Sequence, residues 1–122
     1  MIEGEISAEY EMTVPLIIGN ARGATETLQC VIDTGFSDYL SIPRSIIQRL
    51  DLAQRESRTF FLADNEPVIF DVFIGYVDWD GRERRISVLA AEGTPLIGMR
   101  LLRGAVVFTD VRDGGKVLVR AF

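Results

Sequence analysis

Asp33 is the side chain of this 122-residue chain best placed to do chemistry. It lies in Cys30-Val31-Ile32-Asp33-Thr34-Gly35-Phe36-Ser37, where an apolar run ends in a carboxylate, a small hydroxyl and a glycine. A strand that ends this way holds Asp33 at the mouth of a turn, and Gly35 lets the backbone make it. Of the eighteen carboxylates, most others sit beside charges or turns, where water solvates them.

Residue usage narrows the chemistry further. The chain has no histidine, which removes Ser-His and Cys-His nucleophilic catalysis and the usual zinc sites. Cys30 is the one cysteine. It excludes an intrachain disulfide and, inside an apolar run, reads as an inert core residue. Lys116, the one lysine, stands beside a glycine turn, a poor place for a buried catalytic amine. Asp78, Asp80 and Asp113 lack the dense ligand loop of a cation site and read as surface turns, so no metal or cofactor is expected.

Carboxylates hydrolyse peptide bonds in pairs. One, ionised, takes a proton from water; the other, protonated, polarises the scissile carbonyl. Two carboxylates about 3 Å apart cannot both ionise, so they share one proton and titrate as a unit. A chain with one such acid carries half of the device. The expectation is that a second copy supplies the other half across a closed two-fold axis.

The elements that must position Asp33 read mostly as strands. Residues 1–35 are β-like, with a weak alternation over Ala8–Val14 and Pro15 marking an edge or bulge. Gly19–Gly23 is turn chemistry, and Thr25–Ile32 returns to Asp33. Pro43–Leu50 is a short helix with Pro43 at its first position and Ile46, Ile47 and Leu50 on one face. Thr59–Leu62 and Val68–Ile74 form a hairpin around Ala63–Pro67. Tyr76–Trp79 and Arg84–Leu89 form another around Asp80-Gly81, with Trp79 half-exposed beside the turn. Pro95–Gly98 is a short buried strand. Met99–Arg103 makes one or two helical turns closed by Gly104. Ala105–Val111 and Lys116–Phe122 form a last hairpin. The sum is one all-β domain over 1–122, a closed barrel or sandwich with one or two short helices.

Composition limits the partners. Apolar residues are 48% and the net charge is −5, which argues against nucleic acid, held chiefly by clustered Lys and Arg. Arg82, Arg84 and Arg85 are the only tight basic group and read as a solvated strand face. Met1-Ile2-Glu3-Gly4-Glu5 lacks the pattern of a signal peptide, and no apolar run reaches membrane-spanning length. A cytoplasmic protein without a membrane partner is the expectation.

Val31-Ile32-Asp33-Thr34-Gly35, with Leu96-Ile97-Gly98 downstream, resembles the retroviral-type (retropepsin-like) aspartic proteases. The likeness is closer to small prokaryotic aspartic-protease homologues. Their Asp-Thr-Gly-Phe and Tyr-Leu-x-Ile-Pro are matched from Asp33 to Pro43. Ala63-Asp64, Trp79-Asp80-Gly81 and the run from Leu96 to Gly104 match further along. The resemblance covers roughly residues 10 to 120. It implies a small closed β-barrel, half of a two-fold homodimer with the active site on the axis. By that resemblance Asp33 is the catalytic carboxylate, Thr34 locks the two loops together, and Gly35 turns backbone amides toward the acids. Leu96, Ile97 and Gly98 pack behind the loop. The hairpin around Ala63, Asp64 and Asn65 is the flap over a peptide or protein substrate. Two positions depart from the viral pattern. Phe36 follows the motif where viral enzymes have a small residue, its bulk either narrowing the substrate groove or packing inward, and Asp64, Asn65, Glu66 and Pro67 replace a glycine-rich flap tip.

Two functions fit these expectations: an aspartic endopeptidase acting as a homodimer, or a non-catalytic peptide-binding or assembly module that keeps the protease fold.

Overall fold

The computed structural model describes residues 1–122. Ten strands and two short helices follow one another along the chain. They are β1 (Ile2–Ile6), β2 (Met12–Gly19), β3 (Thr25–Ile32), β4 (Leu40–Ile42), α1 (Arg44–Leu50), β5 (Ala53–Phe61) and β6 (Pro67–Trp79). Then come β7 (Arg82–Ala90), β8 (Leu96–Ile97), α2 (Met99–Leu102), β9 (Ala105–Thr109) and β10 (Lys116–Ala121). No helix is long and apolar enough to cross a membrane.

All ten strands join one sheet in the order β5-β6-β7-β4-β8-β3-β2-β1-β10-β9, and β2 also pairs with β6. That extra pairing, Ile17 to Gly19 against Asp78 to Tyr76, closes β2, β3, β8, β4, β7 and β6 into a ring. Gly75 makes room at the closure. A Cβ there would lie 2.8 Å from Val88 Cγ2 and 3.1 Å from Ile18 Cδ1. The β5 strand extends from the ring as one arm of a hairpin with β6. On the other side β1, β10 and β9 extend the sheet from β2, leaving β9 with a free edge.

Alternation builds the core. Val14, Leu16 and Ile18 on β2, and Leu28, Cys30 and Ile32 on β3, point inward and are buried. Ile42, Val77, Val88, Ile97, Leu101, Val117 and Val119 meet them in one cluster. Each fully buried aliphatic side chain contributes roughly 1.5–3 kcal/mol relative to exposure. Cys30 belongs to this cluster, and burial pushes its thiol up to about 12. That is packing rather than reactivity.

Several boundaries differ from the sequence expectations. Pro43 precedes α1 as an extended N-cap (φ −68°, ψ 153°), not its first helical residue. Trp79 is buried, 3% exposed, not half-exposed, because the end of β6 lies under the C-terminal strand: Ala121 N–H donates to Asp80 Oδ2 at 3.0 Å. Val68–Ile74 and Tyr76–Trp79 are one continuous strand, since Gly75 allows a close approach without breaking the ladder. Pro15 sits where only β3 runs beside β2, between the stretches that pair with β1 and β6. Asp80-Gly81 turns with both φ positive, 52° and 86°, the backbone of a tight two-residue hairpin.

Candidate active site

Asp33 follows the last residue of β3, and that strand is held in parallel register with β8: Val31 opposite Leu96, Ile32 opposite Ile97. The ladder continues one step past the strand. Asp33 N–H donates to the Ile97 carbonyl at 2.9 Å. The backbone that carries the acid is therefore fixed by the buried centre of the ring.

The turn then closes on its own carboxylate. Gly35 N–H donates to Asp33 Oδ1 at 2.9 Å, and Phe36 N–H donates to the Asp33 carbonyl at 3.1 Å. Asp33 is half-buried; Thr34 and Gly35 are exposed. An amide aimed at one carboxylate oxygen fixes the side-chain rotamer and leaves the other oxygen free for chemistry.

The start of α2 clamps the far side of the loop. Gly98 N–H donates to the Tyr39 carbonyl (3.0 Å), Met99 N–H to the Phe36 carbonyl (2.8 Å) and Arg100 N–H to the Asp38 carbonyl (3.3 Å). The approach is possible only at glycine. A Cβ on Gly98 would stand 2.0 Å from the Asp38 carbonyl oxygen and 2.8 Å from the Phe36 ring. Phe36 thus packs against the Gly98 backbone and is half-buried. Leu96, Ile97 and Gly98 lie directly behind the acid-bearing turn.

A depression of about 350 Å³ opens beside the acid. Asp33 and Thr34 line it together with Tyr10, Glu11, Met12, Val31, Ile32 and Leu96. Ala63, Asp64 and Asn65 are not part of this lining; they lie at the tip of the β5–β6 hairpin and are exposed. There Asp64 Oδ1 accepts Glu66 N–H at 3.0 Å, Leu62 N–H donates to the Glu66 carbonyl at 3.0 Å, and Asn65 takes φ 64°. The turn is held by its own side chain, without glycine.

Two residues that the sequence reading did not single out connect hairpin and loop. Asp38 is buried. Its Oδ1 accepts Tyr39 N–H at 2.8 Å, and its Oδ2 accepts Arg58 Nη1 at 3.2 Å. Arg58 lies on β5 and also donates from Nε to Glu56 Oε1 at 2.9 Å. Arg58 lies opposite Phe70 in the β5–β6 ladder, and Phe60 meets the Phe70 ring edge-on at 5.4 Å. An arginine in phase with aromatic residues on one face of a hairpin was the available signal.

No group of three or more His, Cys, Asp or Glu side chains that could hold a metal is present.

No protein-family model and no curated protein sequence matches the chain. Among solved structures it is similar to the solution structure of simian foamy virus (mac) protease. The TM-score is 0.52 at 17% identity, over 73% of this chain and 91% of that one. The fold is retropepsin-like. In the retropepsin-like fold of this chain, the apolar strand, the Asp-Thr-Gly turn and the Leu-Ile-Gly strand behind it form one hydrogen-bonded unit.

Proposed function

We propose that the chain is one half of an aspartic endopeptidase. Two copies meet about a two-fold axis and bring together one Asp33 from each. The observation that carries this reading is Asp33 itself: a half-buried carboxylate, its backbone tied to Ile97 and one oxygen to the Gly35 amide, within a retropepsin-like fold. A fixed acid beside an open depression is the part of a carboxylate pair that one chain can supply.

In the assembled site one Asp33 is ionised and takes a proton from water, while the other, protonated, polarises the substrate carbonyl. The pair shares that proton because two close negative charges repel. Gly35 amides hold both carboxylates facing the water. Thr34, exposed at the turn, meets its counterpart and fastens the loops. The substrate, an extended peptide, lies between the loops and the two β5–β6 hairpins, with Ala63, Asp64, Asn65 and Phe36 beside it. Tyr10, 64% exposed, stands beside the acid in the same depression.

The test is cleavage of a mixed peptide library between acid and neutral pH by the wild-type chain and by Asp33→Asn, with dimerisation followed by sedimentation. The expected result is cleavage by the wild type, blocked by a statine inhibitor, and none by the variant, while both dimerise. Cleavage at the parental rate by Asp33→Asn, or a wild-type chain that binds peptides without cutting them, overturns the proposal.

A further inference from the structure

The arginines of this acidic chain divide into two populations. Every arginine before residue 60 forms an ion pair with a carboxylate. Of the later arginines only Arg112 does; Arg82, Arg84, Arg85, Arg100, Arg103 and Arg120 do not, although the protein carries five more negative than positive charges. Four of these unpaired residues line a single pocket of about 510 Å³. Arg82 and Arg84 come from the start of β7, Arg100 from α2, and Arg103 from the turn after it. Glu83 is the one acidic side chain in the lining.

The pocket is built rather than merely charged. Arg84, half-buried, donates from Nη1 to the Leu101 carbonyl at 3.2 Å, which fixes its guanidinium. The Arg100 guanidinium stands over the Tyr39 ring, 6.0 Å from its centroid, a geometry that restrains the cation. Tyr39, Trp79 and Phe122 supply aromatic wall. Bringing like charges together costs free energy, and here no acidic side chain offsets it by pairing.

We infer that this pocket binds a compact polyphosphate, a small ligand with two or more phosphate groups. Guanidinium forks match phosphate oxygens in pairs. A phosphate group carries about −1.5 to −2 charge near neutral pH, so two of them match four arginines in a volume of this size. A peptide carboxylate carries a single charge and would leave part of the cluster unmatched. Long nucleic acid is disfavoured because the net charge of the chain repels it outside the pocket. Asp33 is not in the lining, so binding does not depend on the proposed proteolysis.

Calorimetry on the full chain with inorganic pyrophosphate, and with a nucleoside diphosphate, tests this. Trp79 is the only tryptophan and lies in the pocket wall, so its emission reports where the ligand sits. The expected result is saturable one-to-one binding that shifts Trp79 emission and weakens as salt is raised. Arg100→Ala and Arg103→Ala, both at exposed positions, should each weaken it about tenfold or more, while Asp33→Asn leaves it unchanged. Tighter binding of the nucleoside diphosphate than of pyrophosphate supports the assignment and places the base on the aromatic wall. No saturable binding, unaltered affinity in both arginine variants, or binding only of a poly-glutamate peptide overturns it. Equal melting temperatures for the variants and the parent confirm that the comparison is between folded proteins.

Discussion

Arg58 of the β5–β6 hairpin holds Asp38 of the acid-bearing loop at 3.2 Å, and the Asp38 carboxylate is almost wholly withdrawn from water, its side chain 7% exposed. The hairpin and the loop are therefore joined by an ion pair, not by apolar contact alone. A buried carboxylate that loses its partner keeps the desolvation cost and loses the attraction.

Removing the arginine should accordingly be worse than removing both charges. Arg58→Met is expected to destabilise by about 1–3 kcal/mol, and Arg58→Met/Asp38→Asn by less than the sum of the Arg58→Met and Asp38→Asn changes. Urea unfolding of the four members of the cycle measures the coupling. Strict additivity would mean that the pair does not join the two elements.

Gly98 offers a sharper contrast. Ala at this position drives a methyl into the Asp38 carbonyl and the Phe36 ring, and backbone on one side cannot yield. Gly98→Ala should cost more than about 3 kcal/mol. Gly35→Ala meets only Asp33 Oδ1, at 3.2 Å, so it should cost about 1 kcal/mol or less in stability. It should instead reduce peptide cleavage, because the added methyl presses on the carboxylate. Unfolding midpoints and turnover measured on both variants separate the two effects.

Acid should loosen the protein from its surface pairs. The Arg49 guanidinium bonded to Glu26, at 3.0 Å from Nε to Oε2, holds that carboxyl below its ordinary value. Arg44, then Ser57, do the same for Asp71. A folded-state value below the unfolded one adds stability that is complete above the unfolded value, about pH 4. That stability is lost as pH falls toward the folded value. Denaturant midpoints should thus be level from neutrality to about pH 5 and fall below about pH 4. In the Glu26→Gln/Asp71→Asn variant the fall should be shallower, and an identical fall would assign it to other groups.

The sequence carried the acid-bearing turn and most of the strands because their signals are local. The apolar run into Asp33, the Asp80-Gly81 turn and the glycine after α2 each state their structure within a few residues. What it did not carry was pairing at a distance. Nothing near Asp38 announces Arg58, and nothing in Arg82-Glu83-Arg84-Arg85 announces Arg100 and Arg103. A solvated face and a shared pocket look alike until β7 and α2 are brought side by side. Trp79 was misplaced for the same reason, since its cover comes from the end of the chain. Asp64 lies in the polar turn between two β-rich arms, and its side chain holds that turn by accepting Glu66 N–H.

The hydrogen bond from Asp33 to Ile97 also orders events in time. A growing polypeptide emerging from the ribosome cannot set its acid until the β8 segment has followed it out, because the carbonyl that anchors the turn belongs to that later stretch. Contacts between such distant parts of a chain form slowly, after the local hairpins. Incomplete chains ending before residue 97 therefore carry Asp33 on an unanchored turn.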